Sequence, residues 1–343
     1  MRKFKLLLFT LFLTGCYNYK ELNNLNIVSG ITIEQNNSSI VINLLIKNSK
    51  EESFIVSEEG NNVENIIYKI NNQSNKNIYL DHINFIIINK SFAENNINQL
   101  VDFIVNRLSK STSLDIYLTE NKGIDILEIL NNKGVNSISN YLNNINSSKG
   151  FKEIIFDNKY NNFIKDYVED GINPIIGILN IDNDSLMINK GAILKNDNNI
   201  VLISKAEYDM FMLLKRKSKQ ISVDLICGDK NVSFTLENIK INYSIDYSAS
   251  PLSIKFNVSL DYHSIDNLCM NFDINSLSEK TLHDEINKSI RNLQKKYNSD
   301  IIGFGYYIKK NNPKYWNKIK NDWFSKIYPK INININTKIK TIY

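Results

Sequence analysis

The 343-residue chain holds only three cysteines, three histidines, four prolines and two tryptophans. His82, His263 and His283 are too scattered for HExxH or any paired metal-ligand spacing, and His82 after Asp81 reads as a hydrogen-bonded structural residue. No G-x-S-x-G elbow, P-loop or G-x-G-x-x-G follows a strand-like run, so the common nucleophile and phosphate signatures are missing. Gly303-Phe304-Gly305 comes closest and reads as a tight turn with its ring buried. Glu51-Glu52 and Glu58-Glu59 read as solvated pairs in a polar loop, because glycosidase carboxylates must face each other about 5 to 9 Å apart across a substrate. Lys215-Arg216-Lys217 and Lys309-Lys310 read as solvated surface, and no basic block suits nucleic acid. The sequence therefore implies no catalytic residue, metal or cofactor, and the chain is expected not to be an enzyme.

Long apolar runs are equally scarce. Nothing after residue 16 approaches the roughly 20 residues of a transmembrane helix. At the start, Arg2, Lys3 and Lys5 precede a short apolar run, Leu6 to Leu13, broken only by Thr10. Such a run is the core of an export signal rather than a span. Leu13-Thr14-Gly15-Cys16 then resembles the bacterial lipobox, in which the thiol receives a diacylglyceryl group and the chain is cut before it. Residues 1–15 are expected to be a lipoprotein signal peptide and Cys16 the lipidation site. The alternative is an ordinary cleaved signal that leaves Cys16 an idle thiol. Stable anchoring takes two acyl chains, which a diacylglyceryl group supplies at one residue.

With 43% hydrophobic and 10% aromatic residues, the remainder can bury real cores, and its length exceeds what one core usually covers. The formal charge of +5 includes the three cations of the leader, leaving about +2. Cys227 and Cys269 can be read as a disulfide of an exported protein or as two buried thiols acting as small apolar residues.

Ile27 to Ile33 and Ile40 to Ile46 read as a hairpin, and Val63, Ile66, Ile67 and Ile70 fall at helical spacing. His82 to Ile88 reads as a buried strand, Ile97 to Leu108 as a helix and Leu114 to Leu118 as another strand. From Asn131 to Asp170 the helical patterns weaken. Strand-like runs return at Ile175 to Ile181, Leu186 to Leu194 and Ile200 to Ile203, with Gly177 and Gly191 as bulge candidates, before a helix from Glu207 to Leu214. The clearest periodicities come last. Leu252 to Tyr262 and Ile331 to Ile339 alternate as half-buried strands. Between them, Leu282, Ile286, Ile290, Leu293 and Tyr297 mark one helix, and Trp316, Ile319, Trp323 and Ile327 a second that opens at Pro313.

The expected fold is a multidomain α+β (mixed α/β) protein. An N-terminal α/β region, 16–185, would have mixed sheets with helices and a possible break near 120–170. A C-terminal α+β domain, 186–343, would carry an antiparallel sheet packed by two long helices.

Two stretches carry a family resemblance. Cys16-Tyr17-Asn18-Tyr19-Lys20-Glu21-Leu22-Asn23 and the run Ile27-Val28-Ser29-Gly30-Ile31 resemble the opening of the Ger(x)C family, the lipoprotein C subunits of spore nutrient-germinant receptors. Tyr17 stands where Trp is common, and Thr32-Ile33-Glu34 replaces a Gly-Ile-Asp ending. Asp300-Ile301-Ile302-Gly303-Phe304-Gly305, Pro313-Lys314-Tyr315-Trp316 and Asp322-Trp323 before the last strand are similar to the family's terminal block. Weaker likeness lies in Leu80-Asp81-His82 and in Gly191 to Lys195. The resemblance implies A and B membrane subunits as partners, a place on the outer face of the spore inner membrane, and an indirect relation at most to a small-molecule germinant. It carries over one functional residue, the acylated Cys16. The competing function is a lipid-anchored solute-binding protein, and an envelope hydrolase is the weakest reading.

Overall fold

The computed structural model describes residues 25–47, 52–108, 114–148, 158–195, 199–216, 220–227, 230–263 and 273–342. Cys16 and Cys269, and with them the acylation site and any pairing of Cys269 with Cys227, lie outside these residues.

The first half of the chain forms β1 (Leu25–Asn36), β2 (Ser39–Lys47), β3 (Ser53–Gly60), α1 (Val63–Gln73), β4 (Asn77–Tyr79), β5 (Phe85–Asn89), α2 (Lys90–Phe103, wound on to Leu108) and β6 (Asp115–Thr119). It continues through α3 (Gly123–Asn132), α4 (Ile138–Ser148), α5 (Tyr160–Val168), β7 (Ile175–Asp182), β8 (Ser185–Leu194), β9 (Ile200–Ser204) and α6 (Lys205–Leu214). The strands make one sheet in the order β3-β2-β1-β5-β6-β7-β8-β9, with β4 beside the start of β1. Its centre, β1, β5, β6 and β7, is parallel, and both flanks are antiparallel. A parallel centre is covered on both faces, which is why Phe85, Ile86, Ile87 and Ile88 are all fully buried and form a continuous apolar run. The β1–β2 hairpin closes through Asn37 at φ 51°, a left-handed conformation that Asn tolerates.

Helices divide between the two faces. α1, α2 and α5 bring Ile66, Ile70, Leu100, Ile104 and Phe163 against Ile31, Ile42 and Ile86. On the other face, α3, α4 and α6 bring Ile126, Leu130, Ile138 and Phe211 against Phe85, Ile87 and Tyr117. Burying each of these side chains stabilises the fold by about 1.5–3 kcal/mol relative to leaving it in water. The weak patterns between 131 and 170 are thus real helices, α4 and α5, sent to opposite faces. Local chemistry sets the helix starts: Asn62 accepts from the Glu64 N–H at 2.8 Å, and Ser204 with Glu207 forms a capping box at α6.

Three expectations are corrected here. Glu58 and Glu59 sit on a strand, β3, not in a loop; β3 is the edge of the sheet, where charged side chains discourage pairing with another chain, and Glu58 meets Lys69 at 3.4 Å. Gly177 and Gly191 are not bulges but face each other across β7 and β8, the register shift falling between Ile178 and Leu179. Their lack of side chains makes room for Tyr208 of α6: a Cβ on Gly191 would lie 2.3 Å from the ring. The third concerns the C-terminal sheet, of β10 (Gln220–Cys227), β11 (Lys230–Asp246), β12 (Ser253–His263) and β13 (Asn332–Ile342). It is antiparallel from β10 to β12, but β13 runs parallel to β12. The reason is the long helical connection between them, since a crossover carries the chain from the end of β12 back to the end of the sheet where β12 began.

That crossover is α7 (Ile274–Arg291, continuing to Tyr297), α8 (Phe304–Asn311), α9 (Pro313–Ile319) and short turns to Lys330. α7 is the expected amphipathic helix, with Leu282, Ile286, Ile290, Leu293 and Tyr297 all buried. The second expected helix ends early, at Ile319; a tighter turn at Lys320–Asp322 and a wider one at Trp323–Ile327 follow, and Trp323 meets Trp316 with ring centroids 5.5 Å apart. Phe211 and Leu214 of α6 share one continuous core with Phe256, Leu282 and Trp323 of the C-terminal sheet and its helices. The sequence division at 185/186 falls one residue into β8, and β8 and β9 belong to the larger sheet.

Candidate functional site

The terminal block singled out in the sequence converges on one place, the joint between the end of α5 and the start of β7. Asp300 is fully buried at the N-terminus of α8. Its Oδ1 accepts from the N–H groups of Gly303 (2.8 Å) and Phe304 (3.1 Å), and its Oδ2 from that of Gly305 (2.8 Å). These are donors that a helix start otherwise leaves without partners, and the carboxylate also complements the helix dipole. Gly303, at φ 86°, supplies the left-handed turn that folds them over the carboxylate.

Asn173 ties the other side. Its N–H donates to the Asp300 carbonyl at 2.9 Å, its Oδ1 accepts from the Asp300 N–H at 2.9 Å, and its Nδ2 donates to the Leu194 carbonyl at 3.3 Å. Between the two segments, backbone touches backbone. The Tyr306 N–H donates to the Gly171 carbonyl at 3.1 Å, and a Cβ on Gly171 would lie 2.6 Å from Trp316 and 2.7 Å from the backbone of Gly305.

Charges finish the joint. Lys215 Nζ donates to Asp166 Oδ2 at 2.6 Å and to the Ile301 carbonyl at 2.7 Å, and the pair is largely buried, at 8% and 12% side-chain exposure. Arg216 donates to the Ile241 carbonyl. Lys215 is therefore a joint residue rather than solvated surface, because α6 ends where the two sheets meet; Arg216 stays exposed apart from that one bond, and Lys217 lies outside the described residues. Lys309 pairs with Glu169 (2.9 Å) and Asp170 (3.1 Å), while Lys310 is exposed. Burial pushes the Asp300 carboxyl up to about 6, with the N–H groups of Gly305, Gly303 and Phe304 and the charge of Lys215 pulling it back down. Burial, then the Asp300 charge, pushes the Tyr243 hydroxyl up to about 12, its ring lying edge-on to Phe304 at 5.2 Å.

Two hollows flank the joint. A cavity of about 20 Å³ lies among Asn158, Asp166, Met212 and Lys215. A cleft of about 180 Å³ lies among Tyr167, Glu169, Pro174 and Lys195. Among the described residues no three His, Cys, Asp or Glu side chains come together to hold a metal. His82 is exposed against the Tyr79 ring, 5.5 Å between centroids, and His283 is half-buried on α7. Sequence reasoning missed Asn173, Gly171, Asp166 and Lys215 as joint residues. Each lies far along the chain from Asp300, and only the folded arrangement shows what it touches.

Comparison with known proteins follows the same two segments. The model of the spore germination protein N-terminal domain matches residues 18–181. That of the spore germination B3/GerAC-like C-terminal domain matches residues 189–342. The chain belongs to the Ger(x)C family of spore germination proteins. The seam between the matched segments lies in the β7–β8 hairpin, so in this Ger(x)C protein the larger sheet spans it. The chain is similar to spore germination protein KC of Bacillus subtilis (strain 168), with 23% identity over 392 residues that cover 97% of this chain and 93% of the relative. Its fold is similar to the crystal structure of the GerBC protein, with TM-score 0.57 and 14% identity over 92% of this chain and 97% of that one.

Proposed function

We propose that this Ger(x)C protein is the C subunit of a nutrient-germinant receptor, anchored by acylated Cys16 to the outer face of the spore inner membrane and assembled there with A and B membrane subunits. The observation that supports it most is the pair of family matches, which leave little of the chain after residue 18 uncovered. The lipobox Leu13-Thr14-Gly15-Cys16 supports the anchor. Among the described residues no helix is long and apolar enough to cross a membrane, so a lipid would be what holds this part of the chain to a bilayer. The stretch from Cys16 to Leu25 reaches at most about 30 Å, which would keep β1 close to the headgroups. In this reading the joint around Asp300 fixes the two sheets into one body that presents a defined surface to the membrane subunits.

Spores lacking the gene should fail to respond to a nutrient while still responding to a non-nutrient trigger; an unchanged nutrient response without a redundant receptor contradicts the proposal. Cys16→Ala should abolish incorporation of labelled palmitate and impair nutrient germination, and palmitate labelling retained in the variant would rule out that anchor. Calorimetry with germinant amino acids separates the solute-binding alternative, which requires tight direct binding by the isolated protein.

A further inference from the structure

Charge is distributed very unevenly along the chain. Residues 304–343 contain nine lysines, no arginine and one acidic residue, Asp322, for a net +8. Since the whole chain is +5, everything before residue 304 is net −3, and −6 once the three cations of the leader are set aside. A mature body that is almost neutral overall is therefore a dipole with its positive end in the last helices and strand.

The structure shows which of those lysines are available. Lys309 is held by Glu169 and Asp170, and Lys326 by Asp322 at 2.9 Å. Lys310, Lys314, Lys318, Lys320 and Lys330 are exposed, and none is in an ion pair with a carboxylate among the described residues. Lys314 and Lys318 lie one turn apart on α9, on the side away from buried Trp316. Half-buried Tyr315, Ile319 and Phe324 are interleaved with them, so the block is fixed to the core while its cations face water. None of these residues lines either hollow at the joint. Recognition here would work through net charge rather than shape, as it does for a diffuse anionic surface.

We propose that the exposed side of α8, α9 and the turns to Lys330 docks on anionic lipid headgroups. The inference deepens the membrane reading above by naming the face of the protein that lies on the bilayer. With a short tether at one end and this patch at the other, attachment has two points, and the body is oriented rather than free to swing.

The test uses the chain from residue 16 with Cys16→Ala, which retains every described residue and carries no acyl group, so its outcome is independent of whether acylation occurs. Sedimentation with phosphatidylcholine vesicles, with and without phosphatidylglycerol, is expected to show binding only to the anionic vesicles and its loss at high salt. Each lysine near an anionic leaflet strengthens binding roughly fivefold, so combining Lys310→Gln, Lys314→Gln, Lys318→Gln and Lys320→Gln should weaken it by roughly 600-fold. The same four changed to Arg should bind like the parent. Lys255→Gln with Lys338→Gln, on the outer face of the C-terminal sheet, should also leave binding intact. Equal binding to neutral vesicles, undiminished binding by the quadruple Gln variant, or binding to an anionic polymer such as RNA but not to vesicles would each overturn the proposal.

Discussion

Asp300→Ala is expected to lower the stability of the fold by about 3–9 kcal/mol, since it leaves three buried N–H groups without an acceptor at about 1–3 kcal/mol each. Against a typical total of about 5–15 kcal/mol, that is enough to unfold a large share of the molecules at physiological temperature. Asp300→Asn keeps one carbonyl for the Gly303 and Phe304 donors but turns an NH2 toward the Gly305 N–H, so its loss should be smaller. The upward shift of this carboxyl gives the same site a pH signature. In the folded state it titrates at about 6, against 3.8 for the ordinary carboxyl, so between these values the native protein holds a proton that the unfolded chain has released. Its contribution to stability is therefore fully present in acid and is lost as pH rises through about 6, amounting to roughly 2–3 kcal/mol. Urea denaturation at about pH 4 and about pH 7 should show this gain in the parent and not in Asp300→Asn, a difference that cancels the other titrating groups. Equal pH dependence in the two would contradict the burial of Asp300 against those N–H groups.

The second large effect belongs to Lys215. Removing one partner of a buried pair leaves the other charge uncompensated, so Lys215→Met should cost about 3–5 kcal/mol. Adding Asp166→Asn should recover part of that loss, because no unpaired charge then remains; strict additivity of the two would mean that the pair is not coupled. The protein's two tryptophans, Trp316 and Trp323, both sit at this joint, so their fluorescence should shift to the red in Lys215→Met before secondary structure is lost.

Both effects concern residues whose meaning was unevenly legible. Strong periodicity was read correctly where one face meets a core, as in Leu282 to Tyr297 on α7 or Leu252 to Tyr262 across β12. β3 was not legible, because an edge strand protected by Glu58 and Glu59 looks like a polar loop in composition. The direction of β13 was equally hidden: Ile331 to Ile339 alternates in the same way whether its neighbour is parallel or antiparallel. Asp300 to Gly305 was legible as a distinctive block but not as a joint, since its partners Asn173, Gly171 and Lys215 are remote in sequence and ordinary in type. Lys215 shows the limit best. It belongs to a basic run that composition assigns to water, and only the end of α6 against Asp166 makes it a buried partner.

The central claim is that this Ger(x)C protein works as one subunit of a membrane receptor. Purifying the tagged protein from detergent-solubilised spore membranes and identifying what accompanies it tests that most directly. A- and B-type receptor subunits should copurify in comparable amounts; a protein recovered alone from germination-competent spores would contradict the account.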